Sequence, residues 1–396
     1  MKRTVILWTI LAAICASAHV TSARPMVQKP QSEMDFEIVG GRIYLQASIN
    51  GHPIRAVLDS GAGTTVIDLD LAAQLGLPTA GSLAVQGGGN ATVGGKFLTK
   101  ANIEFGGFSE PIPIAIPIHS LDGMEGRPIQ AIIGYNFFKD HVLEIDYGKR
   151  RLRLFATEAG FKPVGTTLPA RIEGGLCRVS ATMKVGTESF PLETVIDTGA
   201  SGSALTTRFV EAHSLQVDST PVFQIGAGVG GVAKGRLFRP DAFVVADHTL
   251  ARPIVAMTES GGGVVGNRST FDFLLGAEIL QRFVVTFDYA HKSVSLLPQS
   301  DADKPFEADK TGLQILSEGP NLNQFRVIGV LPGSTAELAG VKVGDVIEAV
   351  DGVPANKSAL HELREKFKSR DAKQWKLGIR RDGKRFDVIV QSKSVI

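Results

Sequence analysis

Apolar and polar side chains alternate along Ile43-Tyr44-Leu45-Gln46-Ala47-Ser48-Ile49. Asn50-Gly51 follows, and a second apolar stretch runs into Asp59. Alternation with period two predicts a half-buried strand, and Asn-Gly between two such stretches predicts a two-residue hairpin turn. The pattern returns later in looser form. Cys177 to Lys184 alternates, Val185-Gly186-Thr187 turns the chain, and a strand runs into Asp197. Helical spacing is scarce. Leu69 to Leu75 and the residues after Gly134 are short candidates. Lys357 to Ser369 is a longer one, with Leu360, Leu363 and Phe367 on one face. Arg381-Asp382-Gly383-Lys384 predicts a tight turn between two strands.

The two Asp-bearing stretches belong to a repeat. Ala56-Val57-Leu58-Asp59-Ser60-Gly61-Ala62 answers to Thr194-Val195-Ile196-Asp197-Thr198-Gly199-Ala200. Ile132-Ile133-Gly134 answers to Leu274-Leu275-Gly276, and Val142 to Tyr147 answers to Val284 to Tyr289. The Asp-to-Gly separation is 75 residues in the first copy and 79 in the second. Order and spacing are both kept, so one fold occurs twice in tandem. Each copy also has a glycine-rich stretch between its motifs, containing Gly87, Gly88 and Gly89 in the first and Gly226, Gly228 and Gly230 in the second.

Composition narrows the class. Of 396 residues, 43% are hydrophobic and 21% charged, which excludes wholesale disorder. The 44 glycines follow no G-X-Y period and fit the turns of a β-rich chain. Lys and Arg number 42 against 40 Asp and Glu, and this near balance lends no support to a nucleic-acid partner. Lys2-Arg3, the apolar run Val5 to Ala16 and small-residue sites around Ala18 and Ala23 form the pattern of a secretory signal peptide. At about 12 residues the run is short of the ~20 that span a membrane. Removing it leaves Cys177 as the one cysteine, so no internal disulfide is available. A bacterial periplasmic or secreted protein is expected, without a transmembrane span after cleavage.

Paired aspartates carry the candidate chemistry. Hydrolysis of an amide without metal or covalent intermediate needs a base to activate water and an acid to polarise the carbonyl. Two adjacent carboxyl groups cannot both ionise, so they share one proton and serve as both. Ser60 and Thr198 place hydroxyls suited to pinning the loops, while Gly61 and Gly199 allow close backbone approach. These motifs resemble those of the aspartic peptidases, and most of all the retropepsin-like branch, which carries Asp-Thr-Gly-Ala and a downstream Ile-Ile-Gly-Arg. Ser60 departs from the first motif, and Tyr135 and Ala277 depart from the second. Retropepsins assemble their site from two identical subunits with one Asp each. The resemblance implies that one chain here supplies both halves, with Asp59 and Asp197 catalytic and the glycine-rich stretches acting as flaps. Neither flap stretch holds a Tyr. Ala62 and Ala200 stand where the pepsin branch usually has a hydroxyl, which predicts activity nearer mildly acidic than strongly acidic pH.

The carboxy-terminal part differs. Pro332-Gly333-Ser334-Thr335-Ala336, Ala339-Gly340-Val341, Gly344-Asp345-Val346-Ile347 and Asp351-Gly352 resemble a PDZ domain. The resemblance implies a peptide added as a strand beside an edge strand and a helix. Phe325, Arg326, Val327 and Ile328 are the expected edge strand. No Gly-Leu-Gly-Phe loop precedes it, which leaves open both capture of a terminal carboxylate and docking of an internal segment.

The expected organisation is mainly β: a signal peptide at 1–23, a linker at 24–35, two retropepsin-like lobes at 36–160 and 161–300 related by a pseudo-twofold, a linker at 301–312 and an α+β PDZ domain at 313–396. The expected function is an aspartic endopeptidase acting on polypeptide, with no cofactor and no metal. A monomer is expected in preference to a homodimer. The alternative is an inactive protease-like adaptor that binds peptide. His361-Glu362-Leu363-Arg364-Glu365 lacks the second His of a zinc-protease helix, and Gly226 to Gly231 opens no helix of the dinucleotide-binding kind.

Overall fold

The computed structural model describes residues 29–157, 161–259, 263–266 and 269–396. The expected signal peptide lies outside the described residues. The Asn50-Gly51 turn forms as its residue types require, with both residues at positive φ, 47° and 82°, joining strands Arg42–Ile49 and His52–Leu58. Its counterpart joins Leu176–Val185 to Glu188–Ile196 through Gly186, φ 59°.

Among the described residues each repeat contributes a ten-stranded sheet, and the strand order of the first is reproduced strand for strand in the second. In both, the Asp-bearing strand has a parallel neighbour from the later Gly motif: His52–Leu58 beside Ala131–Ile133, and Glu188–Ile196 beside Phe273–Leu275. A third sheet belongs to both repeats. Strand Val142–Asp146 pairs antiparallel with Phe283–Asp288, and Glu144 faces Thr286, its own counterpart, so the pseudo-twofold passes between them. Buried side chains of both repeats join in one main core that includes Ile43, Phe137, Phe209 and Phe273, with a smaller separate cluster in each repeat.

Two expected linkers are more than linkers. Ser32–Asp35 forms a strand on the shared sheet, paired with Arg151–Phe155. In 301–312, Ala302, Phe306 and Ala308 are buried, and the Arg282 guanidinium lies 3.5 Å above the Phe306 ring. One aromatic in a polar run is enough to anchor it.

The last domain has its own core around Phe325, Trp375 and Leu377. Its sheet runs in the order Leu313–Glu318, Gln324–Val330, Val346–Val350, Gln374–Arg381, Lys384–Gln391. The edge assignment is therefore corrected. Phe325, Arg326, Val327 and Ile328 lie on an interior strand with neighbours on both sides. Phe325 and Val327 are buried, and the Arg326 Nε–H donates to Glu318 at 2.6 Å. The two edges of the sheet path are Leu313–Glu318 and Lys384–Gln391, and the one beside helix Leu360–Lys366 is Leu313–Glu318. The expected helix is shorter than its spacing suggested, at Leu360–Lys366, with Leu360, Leu363 and Phe367 buried. No helix among the described residues is long and apolar enough to cross a membrane.

Candidate active site

Each aspartate sits where a buried strand ends. The Asp59 N–H donates to Ile133 O at 2.9 Å, and the Asp197 N–H to Leu275 O at 3.0 Å. The later Gly motif then locks the loop. Gly134 N–H donates to Thr65 Oγ1 and Gly276 N–H to Ser203 Oγ. Tyr135 N–H reaches Ala62 O at 2.9 Å, and Ala277 N–H reaches Ala200 O at 2.8 Å. A β-carbon added at Gly134 would lie 2.5 Å from Thr64 O and 2.6 Å from Ala62 O. That explains why the motif carries glycine; the residues that follow it, Tyr135 and Ala277, contribute their main chain to this lock.

The two loops interlock across the pseudo-twofold. Ser60 Oγ donates to Ile196 O at 2.8 Å and accepts from Thr198 N–H at 3.1 Å. Thr198 Oγ1 donates to Leu58 O at 2.9 Å and accepts from Ser60 N–H at 3.0 Å. Both hydroxyls are fully buried. The hydroxyls were expected to pin the loops, and each pins the opposite one. Ser60 makes both bonds that Thr198 makes, so its departure from the family motif loses nothing.

This brings the Asp59 and Asp197 carboxyl groups together across the pseudo-twofold, each lying against the glycine of the opposite loop. Gly61 and Gly199 make room. A β-carbon at Gly61 would lie 2.5 Å from Asp197 Cγ, and one at Gly199 would overlap the Asp59 carboxyl. Gly61 N–H donates to Asp59 Oδ1 at 2.8 Å, while Gly199 and Ala200 N–H groups donate to Asp197 Oδ1 at 2.8 and 2.9 Å. Both aspartates keep part of their surface open, yet enclosing protein desolvates them. Desolvation is the largest influence and raises both above the ordinary carboxylate range. The Gly61 N–H and the Arg42 guanidinium pull Asp59 back down, while the Asp59 charge pushes Asp197 up further. The proton belongs to the pair rather than to either residue.

Arg42 was not legible beforehand. It opens strand Arg42–Ile49, and its Nη1–H donates to Glu125 Oε1 at 2.6 Å with both side chains largely buried. Nothing in the local pattern singles out either residue.

The glycine-rich stretches meet each other. Gly87, Gly88 and Gly89 occupy the tip between strands Thr79–Gln86 and Thr92–Leu98. Gly226, Gly228 and Gly230 lie along and beyond strand Phe223–Gly228, which pairs with Gly231–Phe238. Gly89 N–H donates to Val229 O and Ala91 N–H to Gly230 O, both at 2.9 Å. A β-carbon at Gly228 would lie 2.8 Å from Gly88 Cα, so two main chains approach more closely than side chains permit.

Asp68, Asp70 and His119 bring ligand atoms within 4.8 Å of one another. The Asp68 carboxylate is already engaged there, accepting from the N–H groups of Asp70, Leu71 and His119.

Comparison with known proteins agrees with this geometry. Residues 45–137 and 179–279 match the aspartyl protease family, and residues 326–381 match the PDZ domain. DNA damage-inducible protein 1 of Cryptococcus neoformans var. neoformans serotype D is 32% identical over 123 residues, covering 30% of this chain and 26% of that protein. The protein of the same name from Phaeosphaeria nodorum is 28% identical over an equal share. The chain thus spans about a quarter of the length of the curated relatives it matches. Two repeats, one interlocked pair of Asp loops and these matches lead to one conclusion: the chain belongs to the aspartyl protease family, in its retropepsin-like form, and carries a PDZ domain.

Proposed function

We propose that this protein is an endopeptidase that hydrolyses peptide bonds of polypeptide substrates with a water held between Asp59 and Asp197. The observation that carries the reading is the convergence of the two carboxyl groups, each against the opposite loop's glycine, fed by loop N–H groups and held by the reciprocal Ser60 and Thr198 bonds. The ionised member takes a proton from water as it attacks the carbonyl carbon. The protonated member donates to the carbonyl oxygen, and proton return to the nitrogen lets the amine leave. No covalent enzyme intermediate or cofactor enters. Ser60, Gly61, Thr198 and Gly199 hold the loops. The two glycine-rich tips close over the substrate and must part to admit it. Because both aspartates come from one chain, a monomer suffices as the active unit. The PDZ domain recruits or orients substrate, and the leader directs the protein to the periplasm or the exterior.

The test is hydrolysis of an unfolded protein by wild type, Asp59→Asn and Asp197→Asn. Each variant is expected to lose at least about 10²–10⁴-fold in rate. Equal cleavage by all three would reject the assignment. Retained peptide binding with no cleavage by wild type would favour the inactive adaptor.

A further inference from the structure

Strand Leu313–Glu318 is one edge of the PDZ sheet, and helix Leu360–Lys366 lies alongside it, with Arg364 Nη2–H donating to Ile315 O at 2.8 Å. The cleft between an edge strand and a helix takes extended peptides. Here it is occupied by the first protease repeat. The short helix Asp122–Glu125, closed by Gly126 at φ 69°, is seated in it. Arg364 Nη1–H donates to Met124 O at 2.8 Å. A β-carbon at Gly123 would lie 2.6 Å from Ser317 O, and one at Gly126 would lie 2.6 Å from Leu360 Cβ. The seat is tight enough to need glycine at both points.

The fit is incomplete in one respect. Among the described residues no main-chain hydrogen bond joins the segment to the strand. Ser317 Oγ is buried beneath it with no hydrogen-bond partner. The segment covers the edge without pairing with it, whereas an extended chain would pair. The same segment reaches back to the aspartates: its Glu125 holds Arg42, and Ile43 beside it pairs with Leu58, the residue before Asp59.

We propose that the cleft between strand Leu313–Glu318 and helix Leu360–Lys366 is a docking groove for an extended polypeptide, plugged in cis by residues 122–126, so that a ligand must displace part of the protease body to bind. A tethered occupant competes at an effective concentration on the order of millimolar. The apparent affinity for any ligand in trans falls by the fraction of molecules in which the plug has left. Binding therefore removes Glu125 from Arg42 and links PDZ occupancy to the wall of the aspartate site. The proposal rests on the PDZ assignment and not on the proteolytic reading.

The probe is a linear fluorescein-labelled peptide of residues 119–128 of this chain, with both ends blocked. Its binding is read by anisotropy to the full chain carrying Asp197→Asn, so the result is independent of hydrolysis. Gly123→Val in that background unseats the plug and is expected to tighten binding at least about tenfold. Adding Arg364→Ala should reverse most of that gain. No gain with Gly123→Val, or a gain indifferent to Arg364→Ala, overturns the proposal. Should Gly123→Val fail to fold, hydrogen exchange on the Asp197→Asn protein decides. Saturating probe should speed exchange at the Gly126 and Arg127 amides, both of which donate to Asp122 O, and unchanged exchange overturns it.

Discussion

Ser60 and Thr198 show how much a single hydroxyl can hold. Each is buried, donates to a carbonyl of the opposite loop and accepts an N–H from it. Ser60→Ala leaves the Thr198 N–H and the Ile196 carbonyl without partners in the interior. The expected cost is about 1–3 kcal/mol, read as a lower urea midpoint, while Thr198→Ser keeps both bonds and should be nearly neutral. The aspartates carry the opposite sign. Their folded pKa values are raised, so ionisation costs the folded state and stability declines as pH climbs from the unfolded carboxylate pKa through the folded one. Asp197→Asn removes that cost. Its unfolding midpoint should exceed that of wild type at pH 7, and the gap should close toward about pH 3. Activity needs the shared proton and is lost above the raised pKa. Ala200→Ser, which adds a donor near Asp197, should move the alkaline limb of the pH–rate profile to lower pH. At this scale both aspartates were readable, because a repeated Asp-Ser/Thr-Gly after apolar residues has few other uses. Arg42 and Glu125 were not, since their partnership spans 83 residues and leaves no local period.

Among elements, those built by neighbours in the chain were readable and those built across it were not. The Asn50-Gly51 hairpin, the short helices Leu69–Gln74 and Tyr135–Phe138 and the paired strands follow from turn residues and alternation. The PDZ edge was misplaced because an apolar run looks alike on an edge and inside a sheet until its neighbours are known. That the glycine-rich tips bond to each other was invisible as well, since glycine states only that space is short, not whose atoms fill it. Gly134 makes the point testable. Gly134→Ala forces a methyl against the carbonyl oxygens of Ala62 and Thr64. It is expected to cost about 1–3 kcal/mol and to reduce hydrolysis by loosening the Asp59 loop, both measurable on one purified variant.

On the scale of the molecule, the third domain is bound into the protease rather than tethered to it. Glu278, on the short helix Ala277–Leu280 of the second repeat, feels Lys368 of the PDZ domain together with Arg282 and Arg239. Burial nevertheless pushes its pKa up to about 7. The cost of charging Glu278 thus builds from the unfolded carboxylate pKa to about 7 and is fully present above it. Glu278→Gln should raise the thermal midpoint above pH 7 and leave it unchanged below about pH 4. The sheet common to both repeats has a different consequence. Its two central strands are counterparts of each other, so either half alone would expose a bare strand whose best-matched partner is an identical strand. A fragment ending at residue 157 should accordingly self-associate in pairs, rebuilding from two short chains the symmetry that one long chain now contains.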